Sequence, residues 1–271
     1  MLGRRPLLSR RAALGLWPFF SGIAQATEKP GALTAFPPLR DGDQRLYLVR
    51  HGETDWNVEK RIQGRTDNAL NDNGRAQASA LSRYLASEPI DVVTSSNLLR
   101  AMQTADAIAL AHPEAERVPG LTEMAEMCFG DLEGERLSAI ADVYQATTNA
   151  WRAGDDRRWP GAQGESPNDV AARGIRGLRS LGLLPPAEEP TGAAASRSAS
   201  TDAAGRRVAV VAHGRFNKIL IAALAGDVTK AGEVEQGNTC VNVLDFAPDG
   251  DVTVRALNVQ DHLVMAAMPS P

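Results

Sequence analysis

Short, wholly apolar runs alternate along this chain with longer amphipathic segments, and three of those runs stop abruptly at charged or hydroxylated residues. Leu46, Tyr47, Leu48 and Val49 form the first run, which ends at Arg50-His51-Gly52. Residues 90–94 form a second, ending in Ser95-Ser96, and residues 207–212 a third, ending at His213-Gly214. Runs this short and this continuous read as strands covered on both faces. Between them, Asn73-Gly74 leads into residues 75–86, where Ala78, Leu81, Tyr84 and Leu85 recur at helical spacing. Helices are also expected over 98–110, 137–152, 167–184 and 216–225. Two further strands, 241–246 and 252–257, are joined by a Pro248-Asp249-Gly250-Asp251 turn. Strands alternating with helices predict an α/β fold, a three-layer sandwich with a mostly parallel central sheet and helices on both faces. Right-handed crossovers place all of this in one domain over residues 45–265.

The ends and one interior stretch depart from the pattern. Residues 1–27 carry Arg4, Arg5, Arg10 and Arg11 and no acid, then an apolar stretch, then Ala24-Gln25-Ala26. That order predicts a targeting segment, and Arg10-Arg11 fits a twin-arginine signal, so export or delivery to an organelle (periplasm, plastid or thylakoid lumen) is expected. Without such a signal the location would be cytoplasmic. Gly15, Pro18 and Gly22 break the apolar stretch too often for a membrane span, and no stable membrane insertion is expected once it is removed. Residues 28–44 read as a linker and 266–271 as a tail. Residues 185–206 are rich in Ala, Ser, Pro, Gly and Thr without an apolar face, and read as a flexible insertion. The formal charge of −4 gives no support to nucleic acid as a partner. Two cysteines, Cys128 and Cys240, build neither a disulfide scaffold nor a four-thiolate zinc site.

In open α/β sheets ligands bind beyond the carboxyl ends of the strands. The three polar strand ends therefore gather Arg50, His51, Arg100 and His213 at one edge. Guanidinium forks match phosphate oxygens, and an imidazole among them is a nucleophile toward phosphorus. A cationic surrounding lowers the imidazole pKa and keeps a ring nitrogen unprotonated. The other ring nitrogen is expected to donate to a backbone carbonyl and fix the tautomer. Gly52 and Gly214 are expected to leave room for close backbone approach.

The segment Leu48-Val49-Arg50-His51-Gly52-Glu53-Thr54 resembles the opening motif of the histidine phosphatase superfamily, the phosphoglycerate mutase-like family. The likeness continues through Trp56-Asn57, Arg61-Ile62-Gln63-Gly64, Leu70-Asn71, Gly74 and Gln77-Ala78. The run from Ser95 to Ala105, the acidic stretch Glu126–Gly134, Val210–Gly214, and Asn258 with His262-Leu263 are also similar to the family. The resemblance spans about 45–264 apart from the insertion. It implies that His51 takes the phosphoryl group and that Arg50, Arg100 and His213 cradle it. Glu126, preferred over Glu123 and Glu133 because the family sets its acid four residues before the motif glycine (here Gly130), donates the proton and then activates water. Thr54, Asn57, Gln63, Gly64 and Gly214 are implied as further substrate contacts. No metal or cofactor is implied, since two Arg and two His supply the positive field. His112 and His262 are read as structural.

The expected partner is thus a small phosphorylated substrate, and the expected activity is phosphomonoester hydrolysis through a phosphohistidine. Phosphoglycerate mutase-type transfer is the alternative. A mutase needs additional cations, and Asp131–Leu137 holds three acids and one Arg, although Arg152, Arg157 and Arg158 lie beyond it. A non-catalytic phosphate- or protein-binding module is the second alternative, opposed by the presence of all five principal residues.

Overall fold

A computed structural model describes residues 38–186 and 205–266. The expected targeting segment, most of the linker, all but the ends of the insertion, and all but the first residue of the tail lie outside the described residues. The element order is β1 (Gln44–Arg50), α1 (Asp55–Val58), α2 (Asp72–Leu85), β2 (Val92–Ser95), α3 (Leu99–Ala111), β3 (Glu116–Arg117), α4 (Ala141–Arg152), α5 (Pro167–Ser180), β4 (Arg207–Ala212), α6 (Gly214–Leu224), β5 (Val241–Phe246), β6 (Val252–Val259) and α7 (Asp261–Ala266).

The sheet order is β3-β2-β4-β1-β5-β6. The β3–β2, β2–β4 and β4–β1 pairs are parallel, while β5 runs antiparallel to both β1 and β6. The fold is therefore the expected α/β sandwich with a mostly parallel sheet. Leu46 to Val49 on β1 are fully buried, as a central strand with both faces covered requires. Tyr47 and Val49 pack with Leu81 and Leu85 of α2, Ala101, Ala105 and Ile108 of α3, and Ala209 and Val211 of β4. Strand alternation turns Leu46 and Leu48 to the opposite layer. There α5 packs on α6, and Gly174 lets Leu220 and Phe216 approach so closely that an added Cβ would lie 3.0 Å from Leu220 Cδ1.

Three departures from the expected elements have physical causes. The helix expected over 137–152 starts only at Ala141, because Leu137 is held by an N–H bond to the Lys60 carbonyl beside the Arg61–Arg136 bridge. The helix expected to reach 184 stops at Ser180, two residues before Gly182 with φ +74°. The helix expected from 216 already begins at Gly214, and its first turn is capped by a side chain distant in sequence, described below.

The connections set the location of the site. From β1 the chain crosses past β4 to reach β2, whereas from β4 it crosses past β1 to reach β5. Crossovers that diverge from two adjacent parallel strands open a crevice at their carboxyl ends.

Candidate active site

The register of β1 against β4 pairs Arg50 with Ala212, and the His51 N–H donates to the Ala212 carbonyl at 3.0 Å. The next residue on each strand is a histidine, so two positions far apart in sequence arrive side by side. The His51 and His213 ring centroids are 5.2 Å apart at an interplanar angle of 57°. On the other side of β4, the Ser96 N–H donates to the Val211 carbonyl at 2.8 Å, and α3 then carries Arg100 back toward the same edge.

His51 is 3% exposed, and its Nδ1 lies 2.7 Å from the Gly52 carbonyl oxygen. A carbonyl only accepts, so Nδ1 carries the proton and Nε2 is left with its lone pair. Burial, then the charges of Arg100 and Arg50, hold the His51 pKa well below its ordinary value, against the opposing Gly52 bond. His213 is fully buried and is held low for the same leading reason, with Arg100, His51, Arg173 and Arg50 adding to it.

The two arginines are fixed by carbonyls on one side and open on the other. Arg50 Nη1 donates to the Gln236 carbonyl at 2.7 Å. Arg100, fully buried, donates from Nη1 to Thr66 and from Nη2 to Gly64, both at 2.8 Å. Burial pushes the Arg100 pKa down to about 10, which still leaves it cationic at neutral pH. Arg50 Nε, Arg100 Nε and both ring nitrogens of His213 are buried without a hydrogen-bond partner among the described residues. The Nε–H of each arginine and the one N–H that a neutral His213 ring carries call for an acceptor.

Glu126 is held by helix α6. Its Oε1 accepts from Phe216 N at 2.8 Å and from Met127 N at 2.8 Å, and its Oε2 accepts from Arg215 N at 3.1 Å. The carboxylate thus fills the N-terminus of a helix whose own N-cap, His213, makes no side-chain cap. On the backbone side, Arg173 of α5 clamps the acidic stretch. Its Nη1 donates to the Glu123 and Ala125 carbonyls, and its Nη2 to that of Glu126 at 3.0 Å. Arg173 also forms a two-point pair with Glu165 at 2.8 and 3.0 Å. Although burial pushes Glu165 up, the Arg173 bonds and charge prevail, and its pKa is lowered.

A cavity of about 280 Å³ opens over these groups, lined by Arg50, His51, Asn57, Gln63, Gly64, Arg100, Glu126 and Gly214 among others. All the expected site residues line it except His213, whose ring centroid lies 5.2 Å from that of His51, and Thr54. Thr54 is fully buried and caps α1, with Asn57 completing the reciprocal cap; its hydroxyl also contacts Gln63 at 3.0 Å. The room left by Gly52 is taken by protein: an added Cβ would sit 2.6 Å from the Gly74 carbonyl oxygen. Gly64, at φ +53°, would drive a Cβ into the Glu133 carboxylate. Glu133 is itself spent on the backbone N–H groups of Arg65, Thr66 and Phe129. Glu123 directs its backbone, not its carboxylate, at the site clamp, and its carboxylate bonds Thr122. Arg157 and Arg158 pair with Asp155 and Asp169 and do not line the cavity. Tyr144, Arg215, Lys218 and Gln236 line it without having been singled out from sequence, and Arg61, named there only as part of a motif, lines it too. Arg215 and Lys218 were open to detection: they stand three apart on the first turns of a helix that starts at a site histidine.

Residues 46–260 match the family model described as "Histidine phosphatase superfamily (branch 1)". A glucosyl-3-phosphoglycerate phosphatase of Mycolicibacterium vanbaalenii is 36% identical over 183 residues, covering 68% of this chain and 75% of the relative. A 2,3-bisphosphoglycerate-dependent phosphoglycerate mutase of Methylobacterium radiotolerans is 33% identical over 229 residues, covering 83% and 99%. The native structure of a mycobacterial glucosyl-3-phosphoglycerate phosphatase superposes with a TM-score of 0.63 at 29% identity, covering 80% of this chain and 99% of that one. Among the described residues no helix is long and apolar enough to cross a membrane. With a family match over most of its length and the His, Arg and Glu set of that family in one cavity, this chain belongs to the histidine phosphatase superfamily, in its phosphoglycerate mutase-like branch, and is an enzyme of phosphomonoester chemistry.

Proposed function

We propose that the protein hydrolyses a small phosphorylated metabolite through a phosphohistidine on His51. The reading is carried by the pairing of an Nε2 freed for attack, its Nδ1 bound to the Gly52 carbonyl, with a carboxylate lining the same cavity. Nε2 attacks phosphorus as the ester P–O bond breaks, and Glu126 gives its proton to the departing oxygen. Oε1 of Glu126 takes two N–H bonds and Oε2 only one, so Oε2 is the oxygen free to carry that proton. The Glu126 carboxylate then takes a proton from water as its oxygen attacks phosphorus and the Nε2–P bond breaks, which releases orthophosphate and leaves His51 neutral with its Nε2 lone pair restored. The open donors of Arg50, Arg100 and His213 meet the charge that develops on the phosphoryl oxygens. Asn57 and Gln63 provide polar contacts at the cavity wall.

Phosphoglycerate mutase-type transfer is the second reading, favoured by the identity with a mutase over nearly that relative's whole length. Hydrolysis is preferred because the stretch after Glu126 is a short turn over Gly130–Leu132 followed by the Arg61–Arg136 bridge, without a basic covering segment. A panel of phosphomonoesters, assayed beside 2-/3-phosphoglycerate interconversion, separates the two. Hydrolysis is expected without added metal and in the presence of a chelator, and is expected to vanish in His51→Ala together with an acid-labile phosphoenzyme. Activity lost on chelation, or a phosphoenzyme surviving in His51→Ala, overturns this mechanism.

A further inference from the structure

We propose that Gln236 is a positioning residue for Arg50: its side chain, locked into a buried cluster of carboxamides, fixes the backbone carbonyl that aims the Arg50 guanidinium. The inference deepens the phosphomonoesterase reading and rests on it for turnover.

Among the described residues the Arg50 guanidinium makes one hydrogen bond, from Nη1 to the Gln236 carbonyl at 2.7 Å. Arg100, by contrast, is tied to two carbonyls. A rigid fork held at a single nitrogen takes its direction from that one acceptor. Arg50 also packs closely on Gly214, where an added Cβ would lie 3.2 Å from Nε, the nitrogen that stays without a partner.

Gln236 lies in a loop, and a loop carbonyl holds its place only if something else fixes it. Here its own side chain does so. Oε1 accepts from Asn217 Nδ2 of α6 at 3.1 Å, from Asn242 Nδ2 of β5 at 3.0 Å and from Cys240 Sγ at 3.3 Å. Nε2 donates to Asn242 Oδ1 and to the Glu235 carbonyl, both at 2.7 Å. Asn217 and Asn242 are fully buried. Asn242 in turn donates to the carbonyl of Leu48, two residues before Arg50 on β1, at 2.9 Å, and accepts from the Asn258 N–H of β6 at 3.0 Å. The Gly237 N–H donates to Asn258 Oδ1 at 2.7 Å. The cluster thus ties the loop to β1, β5, β6 and α6.

Buried carboxamides are a costly filling, since apolar side chains of similar volume bring no polar groups to satisfy. Asn217 even leaves its Oδ1 without a partner among the described residues. What amides provide and apolar side chains cannot is direction: their bonds hold a loop residue in one orientation. The Gln236 carbonyl, which meets a cation of the site, is the group that this orientation serves. The same loop reaches His51, whose carbonyl accepts from Asn238 Nδ2 at 3.1 Å and from the Thr239 N–H at 3.3 Å. An effect through Arg50 therefore has to be told apart from one through His51.

The test is a double-mutant cycle on p-nitrophenyl phosphate hydrolysis, with orthovanadate inhibition as a mimic of five-coordinate phosphorus. Gln236→Met keeps the side-chain length and removes the carboxamide. It is expected to lower kcat about tenfold with little change in KM, less than the loss of an oxyanion donor itself, and to weaken orthovanadate inhibition by a similar factor. In an Arg50→Met background the same substitution should cost less than about twofold. A merely structural role, or one exerted through His51, would cost as much without Arg50 as with it, and that result overturns the inference. So does a Gln236→Met enzyme with native kcat and native inhibition. Asn217→Leu removes one bond to Gln236 Oε1 together with the unpartnered Oδ1, and is expected to give a smaller loss of the same kind. It carries the cycle if Gln236→Met does not fold, with the same outcomes overturning the inference. If the native enzyme hydrolyses no phosphomonoester, it is the phosphatase reading that fails. The positioning is then read by calorimetric titration of orthovanadate, where equal affinities of the native and substituted chains overturn it.

Discussion

Arg100 shows how much one side chain holds at this site. It is fully buried, lines the cavity, ties down the Gly64 and Thr66 carbonyls, and keeps its Nε without a partner among the described residues. In the proposed mechanism Arg100→Met removes a preorganised donor to the transition-state oxygens, and kcat/KM should fall by about 10²–10³ in steady-state assays. The same charge acts on the histidines. Burial comes first, and Arg100 is the next cause that holds both His51 and His213 below their ordinary values. All four imidazoles of the chain are shifted downward, His262 to about 4 through burial. Ring-nitrogen NMR of the ligand-free enzyme should therefore show His51, His213 and His262 neutral at pH 6.5. A titration centred there for His51 would contradict a nucleophile ready at neutral pH.

At the scale of elements, the proposed acid, Glu126, is set in place by two helices as well as by the neighbouring Met127 N–H. Helix α6 offers its first N–H groups to the Glu126 carboxylate, and α5 sends Arg173 to the carbonyls behind it. Arg173 and Glu165 are nearly buried, so Arg173→Met strands a carboxylate that, among the described residues, only Arg65 and the Cys128 N–H still meet. A loss of about 3 kcal/mol in denaturant unfolding is expected, the low end for a broken buried pair. Adding Glu165→Met should recover part of it. This clamp carries no local signal in the sequence. Its partners lie 47 to 50 residues from Arg173, and no periodicity or motif joins them. The start of α6 was misplaced by two residues for the same reason, since its cap is Glu126, 90 residues before Phe216. The interior strands and the bodies of α2, α3 and α5 were legible because both-face burial and helical spacing write themselves into local residue order. Strand β3, with two exposed residues, had no such pattern to show.

The whole molecule responds to acid through these same buried imidazoles. In the unfolded chain a histidine titrates near 6.5, while in the folded chain all four take up protons only at lower pH. The unfolded state therefore binds more protons below pH 6.5, and stability falls as pH drops through that value. Each of the three buried imidazoles, His51, His213 and His262, contributes at most about 1.4 kcal/mol per pH unit until its own folded value is reached. Denaturant titrations should show full stability above pH 6.5 and a decline toward pH 4. His262→Gln should make that decline shallower by one proton, because its ring is buried against Thr239 and Tyr84.

Residue order determined the alternation of strands and helices, the strand ends where polar chemistry begins, and the candidates Arg50, His51, Arg100 and His213, while Glu126 was chosen over Glu123 and Glu133 through the family resemblance. Each of these is encoded within a few consecutive positions. Only the tertiary structure decided that β4 inserts between β1 and β2, in a register that sets His213 beside His51. The same holds for Glu126 as the cap of α6 and for the carboxamide cluster of Asn217, Gln236 and Asn242. Those features depend on which distant segments share a sheet edge and a layer, and a linear pattern does not contain that distance.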